Sequence, residues 1–366
     1  MKLLYIVPSI NDGGGVARVL STKTNYLIEK WGYEIHILTQ NKGNSSLFYF
    51  FNPKIVLHDM ILEGNKMKFL LNYKNELQKH CKQINPDIII VADNGLKAYL
   101  VPFFLDKKTP LIFESHGSKF ILEQKQSENV LSKLKIQFKL FIKEFGAKKY
   151  THFVALSDES LNEWHVTNGV VITNPLCESP QKLSNQSSKK VIAVGRHAYE
   201  KGFDNLLKIW KKVVEDYPDW VLEIYGKSDE KFELQELAKN LNLTKNVFFY
   251  EPVLNINKKY SEASFYLMTS RFEGFGMVLI EAMAAGLPCV AYDCPCGPRN
   301  IIDNGKNGFL IQNNKEEDYI SAIKTLIEDN ELRIRMGEGA KSVVAKYNMS
   351  EIMQMWNQFF MEIKNN

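Results

Sequence analysis

The sequence predicts an α/β protein of two Rossmann-like domains, each built on a parallel sheet, and three observations carry that expectation. Short β-branched runs alternate with helix-length segments, the pattern of βαβ units, because parallel strands need long crossovers whereas hairpins need only a few residues. The alternation stops at a polar stretch and then restarts, as a second sheet would. The chain of 366 residues is long enough for two cores at roughly 150 residues each.

Taken in order, residues 3–7, 34–38, 87–91, 110–113, 152–156 and 170–172 read as buried strands of the first sheet, with helical patterns between them. The stretch from Asn174 to Lys190, rich in Ser, Asn, Pro and Lys, reads as a linker. It predicts a first domain over 1–185 and a second over 186–350. The second set of strands is 191–194, 221–225, 247–250, 265–268 and 288–291, and residues 316–364 read as helices only. In open parallel sheets ligands sit at the carboxyl ends of the strands. Two such domains joined by one linker are therefore expected to face each other across a cleft, and the residues following each strand are the ones to read.

Composition narrows the function. With 45% apolar and 24% charged residues, the chain is that of a soluble globular protein, not a disordered one. A net charge of +4 is too small to demand a nucleic-acid partner. The basic residues favour the front: residues 1–185 carry 23 Lys and Arg against 17 Asp and Glu, and residues 186–366 carry 23 against 25. Five scattered cysteines suit a reducing compartment, and a cytoplasmic location is expected. The apolar start at 3–7 is too short for a signal peptide, and no run approaches the ~18 apolar residues of a membrane span, so any membrane contact is expected to be peripheral.

The motifs follow the strands. Gly13-Gly14-Gly15 succeeds the first strand and opens a helix, an arrangement that lets backbone N–H groups approach an anion. It is not G-x-G-x-x-G, and the second strand ends Leu38-Thr39-Gln40-Asn41 with no acid for a ribose, so a dinucleotide-binding reading loses both supports. No P-loop motif occurs either. In the second half, Gly195-Arg196 and Glu200-Lys201-Gly202 follow a strand, and Arg196 and Lys201 are suited to a phosphate. The stretch Ser270 to Pro288 contains Glu273-Gly274-Phe275-Gly276-Met277-Val278 and, eight residues after Glu273, Glu281. It reads as a strand end, a glycine turn and a helix closed by Gly286, with a second anion site at the helix start. The two carboxylates are too far apart for a retaining-glycosidase pair, which needs about 5 Å, and fit the two ends of an extended polar ligand. Cys289, Cys294 and Cys296 lie close in sequence but have no nearby His; they read as buried thiols rather than a metal site.

This segment, Glu-Gly-Phe-Gly-x4-Glu-Ala-Met-Ala-x-Gly-x-Pro, resembles the signature of retaining nucleotide-sugar glycosyltransferases of the GT-B fold, family four. The Gly-rich opening loop, Gly195-Arg196 with Glu200-Lys201-Gly202, and a turn expected at Gly308-Phe309-Leu310 extend the resemblance over nearly the whole chain. It implies that Arg196 and Lys201 hold the donor diphosphate with the backbone of Gly276, Met277 and Val278. It further implies that Glu273, beside Gly274 and Phe275, binds the transferred sugar and that Glu281 binds the ribose. Gly14 and Gly15 would close over the donor from the first domain, and His116, in Glu114-Ser115-His116, would stand near the reacting centre. The last helix, 351–366, would pack back on the first domain. The catalytic set implied is Glu273, His116, Arg196 and Lys201, with no metal and no cofactor beyond the donor, a UDP-sugar being favoured. The variant turn Asp293-Cys294-Pro295-Cys296-Gly297-Pro298-Arg299 looks like that of enzymes building bacterial surface polysaccharides or lipid-linked saccharides. The expected reaction transfers a hexose or N-acetylhexosamine to a glycan or lipid-linked saccharide acceptor. A nucleotide-sugar epimerase, a phosphorylase or a non-enzymatic sugar-nucleotide-binding protein on the same fold are the alternatives.

Residues 130–149 place Leu131, Leu134, Phe138, Phe141 and Phe145 at helical spacing, with Lys133, Lys135, Lys139, Lys143, Lys148 and Lys149 against the single acid Glu144. The stripe is expected to pack against the domain, and the lysine excess favours an anionic membrane surface.

Overall fold

The computed structural model describes residues 1–43, 45–120, 130–229 and 233–365. The chain forms two compact units, one of Met1–Pro175 with Met349–Asn366 and the other of Leu176–Asn348. The boundary is therefore at 175, not at 185. The polar stretch after Pro175 is sewn onto the second unit: Leu176 N–H donates to the Tyr347 carbonyl, Ser184 N–H to the Ala285 carbonyl, and Gln186 Nε2 to the Gly286 carbonyl at 2.6 Å. A segment of that composition reads as a linker, but here its hydrogen-bonding groups are met by the unit that follows it.

In the first unit the order is β1 (Lys2–Ile6), α1 (Gly15–Trp31), β2 (Glu34–Gln40), β3 (Val56–Met60), α2 (Lys66–Ile84), β4 (Ile88–Val91), a 3-10 segment Leu96–Phe103, β5 (Leu111–Glu114), α3 (Val130–Ala147), β6 (His152–Ala155), α4 (Asp158–Asn162) and β7 (Gly169–Val171). The strands form one parallel sheet in the order β3-β2-β1-β4-β5-β6-β7. Central strands such as β4, Ile-Ile-Ile-Val, are buried throughout, as expected when helices cover both faces. The edge strand β3 escaped the sequence reading because Val56 and Leu57 are exposed and His58 and Asp59 interrupt the apolar run. Phe113 lies at the centre of the core, with Tyr99, Phe153 and Trp164 around it.

The second unit contains β8 (Lys190–Val194), α5 (Phe203–Asp216), β9 (Val221–Tyr225), α6 (Leu234–Asn240), β10 (Val247–Tyr250), α7 (Ile256–Ser261), β11 (Phe265–Met268), α8 (Met277–Ala284), β12 (Cys289–Tyr292), β13 (Gly308–Ile311), α9 (Glu316–Glu328) and α10 (Asn330–Val344). Its sheet is parallel with order β10-β9-β8-β11-β12-β13. Gly308–Ile311, expected as a turn, pairs with β12 along its length. On α5, Phe203, Leu206, Leu207, Trp210 and Val213 are buried, the stripe of an amphipathic helix laid on a sheet. Tyr319 fastens α9 beneath the strands, its hydroxyl donating to the Val290 carbonyl at 2.8 Å and accepting from Met268 N–H at 3.1 Å. The last helix, α11 (Met349–Asn365), belongs to the first unit and buries Ile352, Met353, Trp356, Phe360 and Ile363 there.

In both sheets the chain steps outward from a central strand in one direction and then returns to its other side. These switch points lie between β1 and β4 and between β8 and β11. Strand ends diverge there and leave a crevice for a ligand.

Candidate active site

The second unit's switch point is framed by the segment after β8 and the segment after β11. Gly202 is where the two backbones meet. Its φ is +64°, and a Cβ built on it would lie 2.1 Å from the Thr269 carbonyl oxygen, so only glycine fits. Thr269 Oγ1 donates to the Gly202 carbonyl at 2.9 Å. Arg271 ties the same loops from outside: its guanidinium forks onto Asp204 at 2.9 and 2.7 Å, donates to the Tyr199 carbonyl at 2.7 Å, and lies 4.3 Å from the Tyr199 ring centre.

That joint brings Lys201 to Glu273. Lys201 Nζ lies 2.7 Å from Glu273 Oε1, and Ser270 Oγ donates to the same oxygen at 2.6 Å. Both bonds hold the buried carboxylate by one oxygen, which fixes its orientation. Arg196 is more exposed and carries its own counter-charge, the Glu200 carboxylate, at 2.8 Å. Neither cation expected to meet a phosphate stands alone; each is paired with a carboxylate of the two loops. Three residues beyond Glu273, Gly276 caps α8 at φ +94°. The Met277 and Val278 amides sit in the first turn, where N–H groups have no acceptor within the helix and the dipole favours an anion.

Glu281, on α8, is buried rather than solvated, and the Tyr260 hydroxyl donates to its Oε2 at 3.4 Å. Phe275 is turned into the core, edge-on to Tyr347 at 5.5 Å; its side chain anchors the loop and leaves only its backbone for a ligand. Cys289, Cys294 and Cys296 are buried thiols, with burial pushing Cys289 and Cys294 well above the usual thiol range. His197, beside Arg196, is buried edge-on against Phe203 and Phe249 with both ring nitrogens unpartnered. Burial lowers its pKa, so it fills space as a neutral ring.

In the first unit, the glycine loop lies at the switch point of its own sheet. Gly14 N–H donates to Asp12 Oδ1 at 2.9 Å, Tyr49 Oη donates to the Gly13 carbonyl at 2.9 Å, and α1 opens at Gly15 with no acid in its first turn. His116 follows β5. Its Nε2 is 3.2 Å from Glu114 Oε1, and the same oxygen meets Lys23 Nζ at 2.5 Å. Lys23 in turn lies 3.6 Å from the Trp356 ring centre, a cation–π contact out of water. Burial pushes the Glu114 carboxyl up, but Lys23 and His116 outweigh it and hold it down to about 2.

Sequence reasoning missed the partners of these residues. Glu114 closes an otherwise apolar strand, Leu-Ile-Phe-Glu, and Lys23 lies on a helix face with Leu20 and Leu27; a charge at a core position was the available signal in both. Ser270, Tyr260 and the Arg271–Asp204 fork left none, since these contacts join segments distant in sequence or residues common in loops.

Two doubly wound units, with glycine turns and paired charges at the ends of their strands, form the scaffold of GT-B glycosyltransferases. Residues 178–343 match the family described as glycosyl transferases group 1, and residues 13–174 match glycosyltransferase family 4. The chain belongs to these glycosyltransferases. It is 28% identical over 365 residues to an uncharacterized glycosyltransferase of Haemophilus influenzae, covering 97% of this chain and 98% of the relative. It is also 28% identical over 363 residues to the amylovoran biosynthesis glycosyltransferase AmsD of Erwinia amylovora, with the same coverage. Among solved structures, TarM of S. aureus in complex with UDP superposes with a TM-score of 0.77 at 17% identity, covering 98% of this chain and 99% of that one.

Proposed function

We propose that this glycosyltransferase moves a hexose or N-acetylhexosamine from a nucleoside diphosphate sugar, a UDP-sugar being favoured, to a glycan or lipid-linked saccharide acceptor, with retention at the anomeric carbon and without a metal. The observation that carries the reading is the Lys201–Glu273 pair at the β8/β11 switch point, three residues ahead of the Gly276 helix start. A cation, an oriented carboxylate and a helix N-terminus within one loop suit a diphosphate joined to a sugar. AmsD is named for amylovoran biosynthesis and TarM was solved with UDP, which supports a nucleotide-sugar donor and a place in surface polysaccharide synthesis, and the five free cysteines suit the cytoplasmic side.

In this mechanism the diphosphate displaces carboxylates from the two cations: Arg196 releases Glu200, and Lys201 shares its charge between phosphate and Glu273. The amides of Met277 and Val278, with Gly274 and Gly276 beside them, complete the anion site. Glu273 takes hydroxyls of the transferred sugar, and Glu281 the ribose. From the first unit, the Gly14-Gly15 loop and His116, oriented by Glu114, serve the reacting end. The bond from the anomeric carbon to the phosphate oxygen breaks and the bond to the acceptor oxygen forms on the same face. The acceptor's proton passes to the departing diphosphate, which leaves as nucleoside diphosphate. Positioning and charge neutralisation do the catalytic work.

The test is a screen of nucleotide sugars for slow hydrolysis in excess EDTA, scored by nucleoside diphosphate release, with the anomer of the first-formed product read by NMR. Release undiminished by EDTA and a retained anomer are expected. An absolute need for Mg²⁺ or Mn²⁺ overturns the charge assignment, and an inverted product overturns the mechanism.

A further inference from the structure

Helix α3 is attached to its unit by one face of its C-terminal half. Gly146 lies so close to the preceding 3-10 segment that a Cβ there would meet the Tyr99 carbonyl oxygen at 2.1 Å. Lys143, expected among the surface lysines, is instead buried, its Nζ donating to the Lys119 carbonyl at 2.9 Å. The apolar stripe expected to pack inward faces the other way: Leu134, Phe138, Phe141 and Phe145 are all exposed, the first three by more than half. Leu131, the remaining member of that stripe, has no described side chain.

At about 100° per residue these four side chains fall within an arc of about 60°, on the side opposite Lys143. Phe103 extends the surface, also exposed and stacked on Phe145 at 5.6 Å, and Phe141 stacks on Phe145 at 6.1 Å. Exposed Lys133 and Lys135 stand about 100° to either side of the stripe, and Lys148 and Lys149 flank its far end. A contiguous aromatic face bordered by cations is the pattern of a helix lying in a membrane interface.

We infer that this face docks the protein on an anionic lipid surface, the rings entering the headgroup boundary and the lysines meeting acidic headgroups. Charge decides between this occupant and a second copy of the chain. Stripe on stripe would set Lys133 and Lys135 of the two copies side by side, and the only acid on the helix, Glu144, is held by Lys119 and Lys148 at 2.7 and 3.1 Å. The inference does not depend on the proposed reaction, because its readout is binding.

The full chain is sedimented with phosphatidylcholine vesicles, with and without about one-third phosphatidylglycerol, over a range of salt. Binding is expected only to the acidic vesicles and weakens as salt shortens the screening length to about 3 Å near 1 M. The double variant Phe138→Ser/Phe141→Ser is expected to lose binding by tenfold or more, and Lys133→Glu/Lys135→Glu to lose the preference for acidic lipid, both with unchanged melting temperature because the side chains are exposed. Light scattering on parent and variants accompanies the assay. Absence of binding, equal binding to neutral vesicles, or variants that bind like the parent overturns the inference. So does a dimer that the phenylalanine variant converts to monomer, which assigns the face to a second copy.

Discussion

Glu273, in the loop before α8, and Glu281, midway along that helix, are both buried carboxylates with different surroundings. Glu273 is oriented by Lys201 and Ser270 beside the glycine turn, where the proposed mechanism develops positive charge at the anomeric carbon. Glu273→Gln is therefore expected to lower kcat by about 10²-fold or more, in the range of other preorganised electrostatic contacts. In the proposed mechanism Glu281, held by Tyr260, meets the ribose alike in ground and transition states, so Glu281→Gln should chiefly raise the donor KM. Steady-state kinetics with one donor check both, and a larger kcat loss at Glu281 reverses the assignment. At the other site, Glu114 stands with a folded-state carboxyl at about 2 against an ordinary 4.5. A depressed carboxyl stabilises the fold fully above its unfolded value, and that contribution fades as pH falls from about 4.5 toward 2. Glu114→Gln should flatten this acid limb of a urea-unfolding series. It should also cost about 3–5 kcal/mol at neutral pH, because Lys23 is left buried without its counter-charge. An acid limb as steep in the variant as in the parent would show that other carboxylates set it.

Among the elements, the turn joining β8 to α5 carries the most consequence per residue. Gly202 combines a left-handed backbone with contact against the Thr269 carbonyl, whereas Gly305, at φ +81°, has open space around it. Gly305→Ala should cost only the backbone preference, about 1–2 kcal/mol. Gly202→Ala should cost distinctly more and weaken donor binding as well, since the loops that bring Lys201 to Glu273 must part. Thermal unfolding of the two variants and calorimetry with a nucleoside diphosphate separate the effects; equal losses of stability would mean that the close approach relaxes freely. Strands buried on both faces were legible in the sequence as continuous apolar runs, as were the edge strands β7 and β10, but the edge strands β3 and β13 were not. β3 mixes exposed apolar and polar residues, and β13 begins with a glycine that suggests a turn until β12 is beside it. The periodicity of α3 was read correctly as one apolar face; which way the face points was not in the periodicity, because spacing fixes an arc and only a neighbour fixes its direction.

Across the whole molecule, the chain's last helix returns to the unit that its first strand begins. Trp356 on α11 is buried against Phe360 at 5.3 Å and over the Lys23 ammonium, so it covers the Lys23–Glu114–His116 group from the far end of the sequence. Trp356→Ala should cost about 3–5 kcal/mol through the cavity it leaves, read as a fall in urea midpoint of the first unit; a midpoint unchanged within error would remove Trp356 from that core. The sequence by itself determined the two parallel sheets, their strands other than β3 and β13, the loops that carry Arg196, Lys201 and Glu273, and the helix that carries Glu281. These are local matters of hydrophobic run, glycine turn and helix start. Only the tertiary structure decided that Lys201 pairs with Glu273 across 72 residues, that Glu114 holds His116 and Lys23 together, that the chain divides at Pro175, and that the phenylalanines of α3 face outward. Each of these depends on which distant surface meets a given side chain, and burial and pairing energies belong to that meeting rather than to either segment alone.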